Sequence, residues 1–207
     1  MRIINAIILS LVIFASYSAI KHNANFNRKV ASDKKAFWAK ESEANNVRRA
    51  DISALDYIPI PLETLPIQAA LDAGLNALID TLKYLAEQKI LNLSQYTNTE
   101  LKLMYGPANL DTLSTCDEHY TNLIKTLNDL GVELFSQDKR HIAKAFLEYS
   151  ISIGSDITAT YVTLGTIYYD ENDMTALDSL ITKSEEITTL SGTTIKTKLN
   201  NIKSSEK

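Results

Sequence analysis

The sequence predicts an all-α protein: an N-terminal transmembrane helix followed by an antiparallel array of helical hairpins. Three observations carry this. Residues 3–20 are apolar apart from Asn5 and small hydroxyl side chains, and at 1.5 Å per residue they reach about 27 Å, close to the hydrocarbon thickness of a bilayer. From residue 66 onward apolar residues recur at threes and fours, the spacing of one helix face. Gly131 and Gly165 stand 34 residues apart in similar frames, Leu127, Leu130, Gly131 and Leu134 in one, Tyr161, Leu164, Gly165 and Tyr168 in the next. That period belongs to repeated helix-turn-helix units.

At 207 residues the chain is one ordinary domain plus an anchor. The expected division is a transmembrane anchor at 1–21, a basic juxtamembrane helix and proline-containing connector at 22–65, and a helical domain at 66–207. Within that domain the two hairpins fall at about 124–190 and a capping helix at 193–203. A hydrophobic content of 45% suffices for a core, and only six glycines and four prolines argue against disorder. The single cysteine, Cys116, excludes an intrachain disulfide. Residues 1–50 hold nine Lys/Arg against three Asp/Glu, and the remainder twelve against twenty-two. The basic part suits anionic lipid headgroups, at about 1 kcal/mol per cation. The acidic remainder excludes nucleic acid as a partner.

Taken in order, residues 3–20 read as a single-pass membrane helix. The competing reading is a cleaved signal peptide, with Arg2 ahead of the apolar core and Ser16-Tyr17-Ser18 as a cleavage site. Lys21, Arg28, Lys29, Lys34 and Lys35 follow the segment, so the positive-inside rule puts the C-terminal domain in the cytoplasm, at the cell membrane. An exported or cell-surface helical binding protein is the alternative. Residues 28–50 contain no proline or glycine and continue as a helix, on which Trp38, Glu41, Asn45 and Arg48 share one face. They form a candidate docking stripe, set against a solvated helix with Trp38 at the headgroups. Pro59, Pro61 and Pro66 then impose an extended connector over 57–65. Its Ile58, Ile60 and Leu62 are too apolar for a free linker and belong along the helical domain. A proline-rich ligand segment is the other reading.

Ile67, Leu71, Leu75, Leu78, Leu82 and Leu85 mark one amphipathic helix over 66–88. Thr97 or Asn98 caps a short helix ended by Gly106-Pro107. A long helix follows, with Leu110, Leu113, Cys116, Tyr120, Leu123, Leu127, Leu130 and Leu134 on one face. Its partner spans 139–153 and stops at Gly154. Asp156 caps 157–169, Asp173 caps 174–190, and the helix over 193–202 closes the last apolar face.

These residues resemble the tetratricopeptide (TPR) family. Leu127, Leu130, Gly131, Leu134, Ala143 and Leu147 fall on its consensus positions in one copy. Tyr161, Leu164, Gly165 and Tyr168 do so in the next, followed by Ala176 and Leu180 after a one-residue deletion. Ser155 stands where the family has proline. The resemblance implies stacked hairpins whose concave face binds a peptide. The whole chain also resembles a family of small bacterial membrane-anchored helical proteins. That likeness rests on Trp38-Ala39-Lys40-Glu41, Ala44-Asn45-Asn46-Val47-Arg48-Arg49, Leu55-Asp56-Tyr57-Ile58-Pro59-Ile60-Pro61 and Tyr96-Thr97-Asn98-Thr99-Glu100-Leu101.

No Walker loop, dinucleotide fingerprint, G-x-S-x-G elbow or HExxH occurs in the sequence. Three histidines and one cysteine show no metal-ligand spacing, so no cofactor is expected. Cys116 and His119, one helical turn apart, are the candidate nucleophile and base of a hydrolase, set against a core cysteine in register with the leucine stripe. Tyr161, Tyr168, Tyr169 and Asp170 are the candidate partner-binding residues. The function expected is a membrane-anchored helical-repeat scaffold for an unidentified protein or peptide, without catalysis.

Overall fold

The computed structural model describes Lys21 and residues 29–204. Among them the secondary structure is helical, with no strand. No helix among them is long and apolar enough to cross a membrane. The expected fold class is therefore corrected: the described residues are all-α and include no membrane-spanning helix. The longest helix, Leu110–Ser136, has the length but carries Asp111, Asp117, Glu118, Lys125, Asp129 and Glu133 on its outer side. Residues 3–20 lie outside the described residues.

The chain divides into two compact units, each built from two stretches of sequence. The smaller unit takes in residues up to Ile52 and then Tyr96–Leu110. It holds a helix over residues 29–44 (α1), a helix Asn98–Tyr105 (α4) and a 3-10 turn Pro107–Asn109. The larger unit takes in Ser53–Gln95 and Asp111–Lys207. It holds α2 (Ile67–Asp72), α3 (Asn76–Ala86), α6 (Arg140–Ser152), α7 (Thr158–Asp170), α8 (Met174–Ser184) and α9 (Ser191–Ser204), together with nearly all of α5 (Leu110–Ser136).

In the smaller unit α1 ends at residue 44 rather than running to 50. Asn45 and Asn46 stop it; Asn46 turns its side-chain amide back to the Ser42 carbonyl at 2.7 Å, a bond that competes with the helix ladder. The backbone that follows is clasped to the end of α4. The buried Asn109 side chain donates to the carbonyls of Ala50 (2.8 Å) and Tyr105 (2.7 Å) and accepts from Arg49 Nε at 3.0 Å. The Ala50 amide donates to the Tyr105 carbonyl at 3.0 Å. Gly106 makes this approach possible: a β-carbon there would meet the Arg48 carbonyl oxygen at 2.8 Å, and its φ of +84° suits glycine. At the other end of α4, Thr97 and Glu100 form a reciprocal capping box.

In the larger unit the predicted helix over 66–88 is two helices. Gly74, at φ +83°, donates to Leu71 and Leu75 donates to Ala70, the pair of bonds that closes a helix through a left-handed residue. The same pair recurs at three further helix ends, with Asp138, Gly154 and Asn172 in the left-handed position. Asp138 and Asn172 are 34 residues apart, so the turn inside each hairpin has the same geometry. The helix from Met174 stops at Ser184 instead of 190, where Ile187-Thr188-Thr189 brings a run of β-branched residues that favour other conformations.

The core is a continuous cluster running from Ile79, Leu82 and Leu85 of α3 through Leu123, Leu127 and Leu130 of α5 and Phe146 of α6 to Leu164 of α7. It ends on Leu177 of α8 and Ile195 and Leu199 of α9. Helix α7 packs against α6, α8 and α9. The connector packs on this cluster through Ile58, Ile60 and Leu62, and Tyr149 donates its hydroxyl to the Pro59 carbonyl at 2.6 Å. It is joined by residues 90–93, which follow α3 without helical structure. There Ile90, Leu91 and Leu93 are buried, the Ile58 amide donates to Ile90 (3.0 Å), and the Leu93 amide donates to the Asp117 carboxylate (2.8 Å).

The two spaced glycines are steric notches, and they receive different helices. A β-carbon at Gly131 would lie 2.3 Å from Leu147 Cδ2 of α6, its partner within the hairpin. At Gly165 the conflict, at 2.6 Å, is with Leu199 of α9, while Leu177 of α8 stays at 3.5 Å. Gly131→Ala should lower the unfolding free energy by about 1–3 kcal/mol through overpacking, even though alanine favours the helix by roughly 1 kcal/mol. Urea denaturation of Gly131→Ala, Leu147→Ala and the double variant tests this; Leu147→Ala should cost less in the Gly131→Ala background than alone.

Candidate functional site

The surface feature that takes in the expected residue Tyr161 is a cavity of about 480 Å³ in the larger unit. Its floor is apolar and aromatic: Tyr120 and Ile124 from α5, Ile151 from α6, and Ile157 and Tyr161 at the start of α7. Its rim is charged, with Asp117 and Lys125 on α5, Asp156 in the α6–α7 connection, and Lys183 and Glu186 at the end of α8. Tyr120 and Tyr161 are buried and positioned by their helices. Burial holds the Tyr161 hydroxyl at about 12, with Asp156 and Glu186 adding to the rise. Tyr120 is pushed up in the same way, by burial first and then by Asp156 and Asp117. Both phenols therefore stay neutral and available to donate a hydrogen bond.

A second, smaller cavity of about 350 Å³ lies beside Tyr168, lined by Glu148, Leu164, Ala176, Leu180 and Lys183. Lys183 borders both. The Tyr168 hydroxyl donates to Glu148 at 2.8 Å, Lys144 sits 4.9 Å above its ring, and burial with the Glu148 bond pushes the phenol up. Tyr169 is half-buried against the core, and Asp170 accepts from Arg140 at 2.6 Å. The structure thus places Tyr161 and Tyr168 on neighbouring cavities. Asp170 instead joins the two hairpin turns, since Arg140 also bonds Asp138 at 3.0 Å.

The stripe of Trp38, Glu41, Asn45 and Arg48 is not continuous. Because α1 stops at residue 44, Arg48 leaves the helical register, and both it and Asn45 are exposed. Trp38 is 58% exposed. Glu41 is committed to α4, accepting from Thr99 at 2.7 Å and from the Lys102 ammonium. The Lys102 bond, then Thr99, holds the Glu41 carboxyl below its ordinary range.

Cys116 and His119 are not set up for nucleophilic chemistry. Cys116 is 2% exposed in the leucine stripe, and burial pushes its thiol up, the reverse of what an activated thiolate needs. His119 instead contacts the Lys89 carbonyl at 3.1 Å through Nδ1 and meets the Tyr84 ring edge-on. Among the described residues no group of three or more His, Cys, Asp or Glu is placed to hold a metal ion.

Several cavity residues escape the sequence reading. Asp156 reads as a helix cap, yet α7 begins at Thr158 without a side-chain cap, and it is the Ser155 hydroxyl that accepts from the Ile157 amide at 3.3 Å. Asp156 is thereby left on the cavity rim. Tyr120 reads as core, which it also is. Lys183 and Glu186 carry no motif; Lys183 lies in the last turn of α8, and the early end of that helix leaves Glu186 beyond it. Comparison with known protein families, curated proteins and solved structures gives no match to this chain.

Two expectations follow. Cys116 should resist a maleimide in the native protein and react fully in denaturant, read by mass shift. Glu41 has a lowered folded pKa, so its contribution to stability is present above the ordinary carboxylate range and is lost as pH falls through the folded value. The protection of the α4 amides against hydrogen exchange, taken relative to the intrinsic rate at each pH, should therefore fall on acidification, and Glu41→Gln should show the lower protection already at neutral pH.

Proposed function

We propose that α5 to α8 form two TPR-like hairpins and that the protein is a binding scaffold for an extended segment of a partner protein, with no catalysis of its own. The observation that carries this reading is the 480 Å³ cavity, with neutral phenols and isoleucines beneath a rim of mixed charge. An apolar floor with a few convergent polar groups is the usual make-up of a recognition site. The equivalent turns at Asp138 and Asn172 and the 34-residue spacing of Gly131 and Gly165 in the sequence support the repeat assignment. An apolar side chain of the partner enters between Tyr120, Ile124 and Tyr161. Asp156, Glu186 and Lys183 then meet the peptide backbone and its flanking charges. The mechanism is passive: the hairpins hold the groove open before the ligand arrives, so little ordering cost opposes binding.

A photo-crosslinking residue at Lys183, on the rim, should trap a defined partner in living cells, whereas one at Lys198 on α9 should not. Thr121→Trp fills the cavity mouth from an accessible position. It should weaken the adduct at least about tenfold, since burying one apolar side chain is worth about 1.5–3 kcal/mol. Identical adducts from Lys183 and Lys198, or adducts indifferent to Thr121→Trp, would sink the reading.

A further inference from the structure

Helix α1 is the most exposed secondary-structure element of the smaller unit. Every residue from 29 to 40 is exposed, and the helix first buries a side chain at Ala44. A stretch of three turns without tertiary contact is marginal on its own in water. Its outward side chains are nevertheless apolar: Val30 is 48% exposed, Phe37 53% and Trp38 58%, and the two aromatic rings stack edge-on with centroids 5.5 Å apart. Val30, Lys34, Phe37 and Trp38 follow one another at spacings of four, three and one, which sets them on one side of the helix.

The charges around that side are predominantly positive, with Asp33 beside Phe37 the one acid. Over residues 29–40 the ionisable groups are Lys29, Lys34, Lys35 and Lys40 against Asp33. Lys35 lies beyond Trp38 on one flank, while Lys29 and Lys40 lie beyond Phe37 on the other, with Lys40 also close enough to Glu100 to lower its carboxyl. The far side of the helix carries Ser32, Ala36 and Ala39, which project little. At its C-terminal end Glu41, on the same side as Trp38, fixes α1 to α4 through Lys102 and Thr99, so the helix is held at that end while Phe37 and Trp38, a turn earlier, remain exposed.

We infer that α1 is an interfacial helix that lies on an anionic lipid surface, with Phe37 and Trp38 at headgroup depth and Lys29, Lys34 and Lys35 on the phosphates. Exposed aromatics flanked by lysines on a helix of low net hydrophobicity are the pattern of such helices. Indole and phenyl rings favour the boundary between headgroups and acyl chains, where the lysine stems also reach. An acidic protein partner would be expected to offer the rings a shaped pocket. A lipid surface needs only the flat, positively flanked face that α1 presents.

Trp38 is the only tryptophan of the chain, so its fluorescence reports on this face alone. With the full-length protein reconstituted in vesicles, acrylamide quenching of Trp38 should fall several-fold, and its emission should shift to the blue, when phosphatidylglycerol replaces part of the phosphatidylcholine. High salt or Lys34→Glu with Lys35→Glu should restore the quenching seen in neutral vesicles, at unchanged helical circular dichroism. Phe37→Ser should weaken the protection while leaving its dependence on lipid charge in place. The inference is overturned if quenching is equal in neutral and anionic vesicles, or if the charge-reversed protein remains protected. Protection by soluble polyglutamate but not by vesicles would also overturn it, and would assign the face to an acidic polypeptide.

Discussion

Two helices approach most closely where one lacks the side chain that would meet its neighbour's leucine, and in the larger unit this happens at Gly131 and Gly165. With less than 3 Å between a hypothetical β-carbon and the incoming leucine in each case, these contacts admit no other residue without a shift in the core. Leu147 enters the first notch and pins α6 to α5; Leu199 enters the second and pins α9 to α7. The stack is then fixed at both ends, and the cluster from Ile79 to Leu199 is contiguous. The cavity beneath Tyr120 and Tyr161 is a by-product of that packing, lying where the helix connections leave space between α5, α7 and the end of α8.

The parts of this architecture that sequence reveals are those governed by period. The apolar stripe of α5 and the closing helix α9 follow from side chains repeating at threes and fours, and the cap at Asp173 follows from its side chain, which accepts from the Ala176 amide at 2.9 Å. What period does not reveal is where helices end. Asp138 and Asn172 adopt left-handed backbone, and nothing in their identity separates them from the many Asp and Asn residues that do not. Gly74 is in phase with a helical stripe on both sides, so only its φ shows that the stripe is broken there. The early end of α8 puts Glu186 outside the helix, and for that reason Glu186 is legible as a residue but not as part of a site.

The smaller unit shows a second limit. Its central contact, the Asn109 side chain bridging Ala50 and Tyr105, joins positions some sixty residues apart, and a single asparagine has no pattern to announce it. The bond set is complete: two donors and one acceptor of a fully buried amide are all used. Such a residue is costly to replace, because each abandoned partner loses about 1–3 kcal/mol of solvation without compensation. The same reasoning explains why Arg48 and Arg49 are not simply part of a basic helix, since their backbone is what Gly106 leaves room for.

The two units interleave along the chain, and this has a consequence for how the protein is made. A ribosome delivers residues 29–52 well before Tyr96–Leu110, with the whole of residues 53–95 between them. During that interval the Ala50 carbonyl and the Glu41 carboxylate have only water to bond. Closing the intervening loop costs about 3 kcal/mol of chain entropy if it is disordered, and less once α2 and α3 have folded and drawn its ends together. Vectorial synthesis therefore favours an order in which the N-terminal segment is the first to emerge and among the last to be locked in place.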